Sequence, residues 1–214
     1  DRLARQCGYL DANPGVGAVG TQVRVIDPAG AVRMSLDFPC QPAAARWNLL
    51  FGASLLHSAS MYRRTCLAQI GGYSESHPYL CDYDLLVRLA QVCQITNLPD
   101  ELACYRRSAT QFSVTHRAPQ NGQMLLLQYA IQQRWLGLRP DLAVCATLFK
   151  WGHGAPPASA MQAAAAMRWL ETLFNRYCEV MLLAERDLIE VAQACARRWL
   201  QMAHHAYATL RPAS

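Results

Sequence analysis

Twelve residues, Val16 to Asp27, are nearly uncharged, with Arg24 alone among valine, isoleucine, glycine and alanine before the run ends in the turn signal Asp27-Pro28-Ala29-Gly30. A run so apolar and β-branched reads as a strand buried on both faces. It leaves room for few architectures. Such a strand needs layers above and below it, and the preceding segment offers one: Leu3, Cys7 and Leu10 share a helical face that closes at Asn13-Pro14-Gly15. A helix feeding a buried strand predicts an α/β layer.

Downstream the punctuation changes. Residues 31–47, with Pro39 and Pro42, read as irregular, and the apolar stretch Leu49 to Arg64 contains part of another strand. Thr65 to Ile70 predicts a helical turn or two, stopped by Gly71-Gly72. A loop through Pro78 leads to a helix that begins near Asp82 and carries Leu85, Leu86, Leu89 and Val92; Ile95 to Pro99 is then a short strand. From about residue 120 the pattern is almost purely helical. Met124 to Leu136 ends at Gly137, Pro140 opens the next helix, Trp151 to Pro157 is a loop, and Ser159 with Gln162 forms a capping box for a long helix. Leu188, Val191, Cys195, Trp199 and Met202 form a final stripe at three- and four-residue steps, the pattern of core packing. The chain therefore divides into an α/β part, residues 1–118, and a helical part, residues 119–214, with the break at Arg117-Ala-Pro-Gln-Asn121.

Charge and cysteine usage exclude several classes. The net charge of +5 comes from ten basic against nine acidic residues up to His116 and ten against six thereafter, without the clustered Lys, Arg and aromatics of a nucleic-acid face. No nucleic-acid partner is expected. Nine cysteines, an odd number without a CxxC pair, predict reduced, mostly buried thiols and no metal site rather than a disulfide framework. No apolar run is long enough to span a membrane, so the expected compartment is cytoplasmic. Arg168, Arg176, Arg186, Arg197 and Arg198 leave peripheral contact with anionic lipid open.

Chemistry concentrates between residues 57 and 113. In order stand His57-Ser-Ala-Ser-Met-Tyr-Arg-Arg64, Ile70-Gly-Gly-Tyr73, Asp82-Tyr-Asp-Leu-Leu-Val-Arg-Leu89, Asn97-Leu-Pro99, and Tyr105-Arg-Arg107 followed by Ser113. This series resembles the C-terminal half of a family 2 glycosyltransferase, with Arg2-Leu-Ala-Arg-Gln and Val16-Gly-Ala-Val-Gly resembling the helix and strand that precede it; the likeness covers residues 1–116. The resemblance implies the acceptor-side half of a GT-A fold. It also implies inverting transfer of a sugar from a nucleotide-sugar donor to a glycan, lipid or protein acceptor, with a divalent cation, Mg or Mn, on the donor diphosphate.

An inverting transfer needs a carboxylate to take the acceptor hydroxyl's proton, a contribution of typically 10² to 10⁴ in rate. Asp82 matches the family's catalytic aspartate, although Cys81 replaces the glutamate before it. The competing reading is a helix cap. Asp82-Tyr83-Asp84 spells a metal-binding DxD, but residues two apart at a helix start diverge by about 200°, so Asp84 is expected to be structural and the cation's ligands to lie mostly upstream. His57, Gly71, Gly72 and Tyr73 resemble the acceptor-side contacts. Arg106 and Arg107 are candidates for the diphosphate, which suits a guanidinium. Ser108 stands where the family carries a histidine ligand.

The resemblance begins past the family's nucleotide-binding region. The expectation is therefore a fragment of a longer enzyme, unable to bind nucleotide-sugar alone, with an exposed sheet edge that favours a homodimer. The alternative is a non-catalytic interaction module whose helical tail, bearing Trp135, Trp151, Trp169 and Trp199, is a docking surface.

Overall fold

The computed structural model describes the backbone of residues 1–210 and the side chains of residues 1–205. Two compact units divide between Met124 and Leu125. The expected division at 118/119 falls inside a helix.

The first unit is mixed α/β. Helix α1 (Arg2–Ala12) leads into strand β1 (Val16–Ile26), which turns at Asp27–Gly30 into β2 (Val32–Leu36). Helix α2 (Pro42–Asn48), a single 3₁₀ turn His57–Ala59, strand β3 (Met61–Tyr62) and helix α3 (Arg64–Gln69) follow, then α4 (Cys81–Leu89), β4 (Gln94–Arg106) and the short α5 (Phe112–Thr115). The residues read as irregular thus contain β2 and α2. β1 is the hub of a four-stranded mixed sheet. It pairs along its length with parallel β4, and antiparallel at its two ends with β3 (Ala18 opposite Tyr62) and β2 (Val25 opposite Met34). Its residues 16–23 are all buried, as the uncharged run required.

Two details show how polar groups position this sheet. Helix α1 turns Gln6 and Leu10 inward, whereas Leu3 and Cys7, expected on the packed face, are exposed. The burial of Gln6 is offset because its Nε2 donates to Val19 O (3.0 Å) and Ala59 O (2.8 Å), which ties α1 to β1 and the 3₁₀ turn. Strand β4 runs well past Pro99, where the sequence ended it. Proline has no N–H for the ladder, and the register indeed slips there, from Thr21 opposite Leu98 to Gln22 opposite Glu101. Side chains take over the missing bonds: Thr21 Oγ1 donates to Asp100 O and accepts from Leu102 N, and Gln22 Nε2 donates to Leu98 O.

The chain enters the second unit along α6 (Arg117–Leu136), followed by α7 (Leu142–Gly152), α8 (Ala160–Met181) and α9 (Glu185–Leu210). Asp141, not Pro140, opens α7, accepting from the N–H groups of Ala143 and Val144. Ser159 caps α8 through Gln162 N, while Gln162 Oε1 reaches back to Ala158 N. In the last stripe Val191, Cys195 and Met202 are buried, whereas Leu188 and Trp199, expected in the core, are exposed. Trp151 Nε1 donates to Met202 O, Trp169 Nε1 to Gln132 Oε1, and Trp135 is buried, so of the tryptophans assigned to a docking face only Trp199 is substantially exposed. No helix among the described residues is long and apolar enough to cross a membrane.

Candidate functional site

The 3₁₀ turn, β3, the loop after α3 and the first turn of α4 bring four candidate groups together. His57 is exposed and meets Tyr73 edge to face, ring centroids 5.8 Å apart. Tyr73 is 52% exposed. Partial burial pushes its phenol up, and the charges of neighbouring Cys81 and Asp82 add to the rise. Behind it stands Tyr62 on β3. Burial pushes the Tyr62 phenol up to about 12; nearby Ser60 opposes the rise, and Tyr73 and Asp82 add to it by smaller amounts. The Tyr62 hydroxyl is shielded from solvent and makes no well-formed hydrogen bond among the described residues. Tyr62 is the member that sequence reasoning left without a role. Its signal was its place in the Met-Tyr-Arg-Arg strand, whose partner residues were not identifiable from spacing.

Asp82 lies at the second position of α4, half-buried, with Oδ1 accepting from Tyr83 N at 2.8 Å. It is not the cap. That position belongs to Leu80, which offers no side-chain acceptor. Among the described residues the carboxylate bonds the adjacent N–H, and it lies near enough to both tyrosines for its charge to raise their phenols.

Asp84 points elsewhere. It is 7% exposed and binds Arg88, whose Nε and Nη2 each lie 2.8 Å from Oδ2, with His77 Nδ1 3.5 Å from Oδ1. Arg88 Nη1 then donates to Ile70 O (2.9 Å) and Gly72 O (2.7 Å). The ion pair thereby locks the glycine loop to α4. Gly71 and Gly72 adopt φ of 75° and 71°, a left-handed pair open to glycine and costly for other residues. Arg63 clamps the other flank, donating to Val16 O and Leu10 O.

Arg106 and Arg107 are not part of this cluster. Arg106 is opposite Ile26, eight residues along β1 from the partner of Tyr62, a span of roughly 26 Å at 3.3 Å per residue. Its Nη1 donates to Asp27 O (3.0 Å) and Pro28 O (2.7 Å), so it holds the β1–β2 turn. Arg107 is exposed and its N–H extends the ladder to Ile26 O. Tyr105 and Ser113 meet through Gln111 Nε2, at 3.0 and 2.7 Å. His116 stacks on Phe112 with centroids 4.3 Å apart.

A divalent cation does not fit these residues. Asp84 is committed to Arg88, and no group of three His, Cys, Asp or Glu residues among those described converges on a point. Comparison of the sequence with protein-family models and with curated proteins finds no match.

Proposed function

We propose that the α/β unit is the acceptor-binding part of an inverting, GT-A-type glycosyltransferase, in which Asp82 takes the proton of an acceptor hydroxyl as that oxygen attacks the sugar carbon of a nucleotide-sugar. The observation that supports this reading is proximity: the His57 and exposed Tyr73 rings meet edge to face, and the Asp82 carboxylate lies near enough to Tyr73 for its charge to raise the phenol. Tyr73 supplies a flat apolar face for a sugar ring, His57 a hydrogen-bonding edge, and the Gly71-Gly72 backbone an approach without side chains. A carboxylate with one oxygen bonded to a backbone N–H keeps its second oxygen for a substrate proton. The diphosphate role expected of Arg106 and Arg107 is not part of this proposal, since Arg106 is occupied at the turn, and no step is routed through a metal.

Saturation-transfer NMR against a panel of oligosaccharides tests the acceptor surface. Binding is expected for the chain and for Arg106→Ala, and loss of at least about tenfold in affinity for Tyr73→Ala, consistent with a buried aromatic stacking contact of over 1 kcal/mol. Unaltered binding in Tyr73→Ala, or no glycan bound by the chain, refutes it. In a longer enzyme that joins this unit to a nucleotide-binding region, Asp82→Asn is expected to lower the transfer rate by about 10² to 10⁴ while glycan affinity stays unchanged.

A further inference from the structure

Beside the candidate site, two thiols share the space over one glycine. A Cβ placed on Gly17 of β1 would lie 2.2 Å from Cys93 Sγ, 2.8 Å from Cys93 Cβ and 2.8 Å from Cys66 Sγ. Two sulphurs that close to a single point are at most 5.0 Å from each other. Cys66 comes from the middle of α3 and Cys93 from the last residue before β4, and both are half-buried free thiols. We propose that Cys66 and Cys93 are a modification site: a reversible disulfide that closes across Gly17 in the presence of a small-molecule disulfide.

The absent side chain is what makes the closure feasible. A disulfide needs its sulphurs about 2.05 Å apart, and the volume they must cross is the one that any side chain at position 17 would fill. Burial, reinforced by Cys66, pushes the Cys93 thiol up to about 12, and Cys93 Sγ points its hydrogen at Leu89 O, 3.4 Å away. Cys66 is therefore the entering thiol. As a thiolate it attacks one sulphur of the small disulfide and releases the other half as a thiolate; Cys93, on losing its proton, attacks the Cys66 sulphur and releases the second half. The two protein thiols lose two protons and two electrons, and the small disulfide takes them up as two free thiols.

The bridge would enclose 26 residues, among them Gly71, Gly72, Tyr73 and Asp82. It would fasten α3 to the segment between α4 and β4, a second tie beyond the Arg88 contacts with Ile70 and Gly72. This assignment does not depend on the transferase reading, and its test reads thiols and masses only.

The full chain is incubated with oxidised glutathione at pH 8, the remaining thiols are alkylated, and tryptic peptides are mapped without reduction. The expected product has lost two of nine free thiols, weighs about 2 Da less, and links peptide 65–88 to peptide 89–106, with fragmentation placing the bond on Cys66 and Cys93. Dithiothreitol reverses it. Because those peptides also carry Cys81 and Cys104, a bond on either of these overturns the proposal. So does a bond confined to Cys178 and Cys195, or glutathione adducts without a cross-link. Cys66→Ser and Cys93→Ser each abolish the bridge, and Gly17→Ala slows its formation by about tenfold or more; the peptide map of the unsubstituted chain decides the matter even where a variant fails to fold.

Discussion

Replacing one glycine of β1 by alanine should unsettle the sheet far more than a single methyl group suggests. At Gly20 a Cβ would stand 2.1 Å from Asn97 Oδ1, 3.2 Å from Asn97 Cγ and 3.1 Å from Leu55 Cγ. Asn97 cannot step aside freely. It is 2% exposed, and its Nδ2 donates to Pro39 O (2.8 Å) and Ser54 O (2.9 Å), which pins two loops to β4. Overpacking of a tight core costs about 1–3 kcal/mol, and the loss of two buried hydrogen bonds adds about 1 kcal/mol each. Gly20→Ala is therefore expected to destabilise the α/β unit by about 3–5 kcal/mol, a large share of a domain stability of about 5–15 kcal/mol. With a urea m-value of about 2 kcal/mol/M, the unfolding midpoint followed by circular dichroism falls by about 2 M. Gly8→Ala provides the opposite sign. Gly8 is exposed on α1 with nothing within 4 Å of a new Cβ, so alanine gains helix propensity worth about 0.5–1 kcal/mol. Combining Gly20→Ala with Asn97→Ala removes the clashing partner and should recover more than about 1 kcal/mol relative to additivity. A midpoint shift below about 0.5 M for Gly20→Ala, or strict additivity in the double variant, refutes the reasoning.

Arg88→Ala strips the buried Asp84 of its partner and frees the Ile70 and Gly72 carbonyls; a cost of about 3–5 kcal/mol is expected, with faster proteolysis between residues 70 and 80, and a loss under about 1 kcal/mol contradicts it. The Tyr62 phenol, raised from the ordinary 10 to about 12, stabilises the fold fully below pH 10; as pH climbs from 10 to 12 the unfolded chain releases this proton and the folded one holds it. Across that window the protein should lose about 2–3 kcal/mol relative to Tyr62→Phe, and parallel alkaline melting curves for the two would be inconsistent with a shielded hydroxyl. Alkylation by iodoacetamide at pH 8 should modify exposed Cys7 and Cys104 first, and last Cys145 and Cys195, which burial pushes up to about 11, and Cys93, at about 12; early labelling of Cys145 would show that the second unit opens readily.

The unequal legibility of this fold follows from the range of the interactions involved. β1 could be read because burial on both faces leaves its mark on every residue of the run, and the Ser159 cap because its partners lie within three residues. β2 alternates apolar and polar residues, Val32-Arg33-Met34-Ser35-Leu36, yet Val32 and Met34 are 55% and 47% exposed. Its ladder to β1 and the Asp27 turn hold it, and neither is local to the five residues. The extension of β4 past Pro99 was hidden for a related reason: the bonds that proline forfeits are restored by Thr21 and Gln22, some 80 residues earlier in the chain.

The same distinction governs the site. Asp82, Tyr73 and His57 are candidates by motif alone, whereas the contact between the His57 and Tyr73 rings depends on the fold, and the divergence of Asp82 from Asp84 follows from helix geometry. Arg106 could not be assigned, since a guanidinium in sequence does not disclose whether a diphosphate or a turn carbonyl will accept its hydrogen bonds, and its acceptors at Asp27 and Pro28 lie 79 and 78 positions away. Cys66 and Cys93 are the extreme case. Each looks like a small hydrophobe in its own neighbourhood, no spacing rule joins them, and only the strand order that sets Gly17 between α3 and the start of β4 makes them a pair. Long-range chemistry in this chain is thus written at glycines, where the residue that matters is recognised by what the missing side chain allows two distant segments to do.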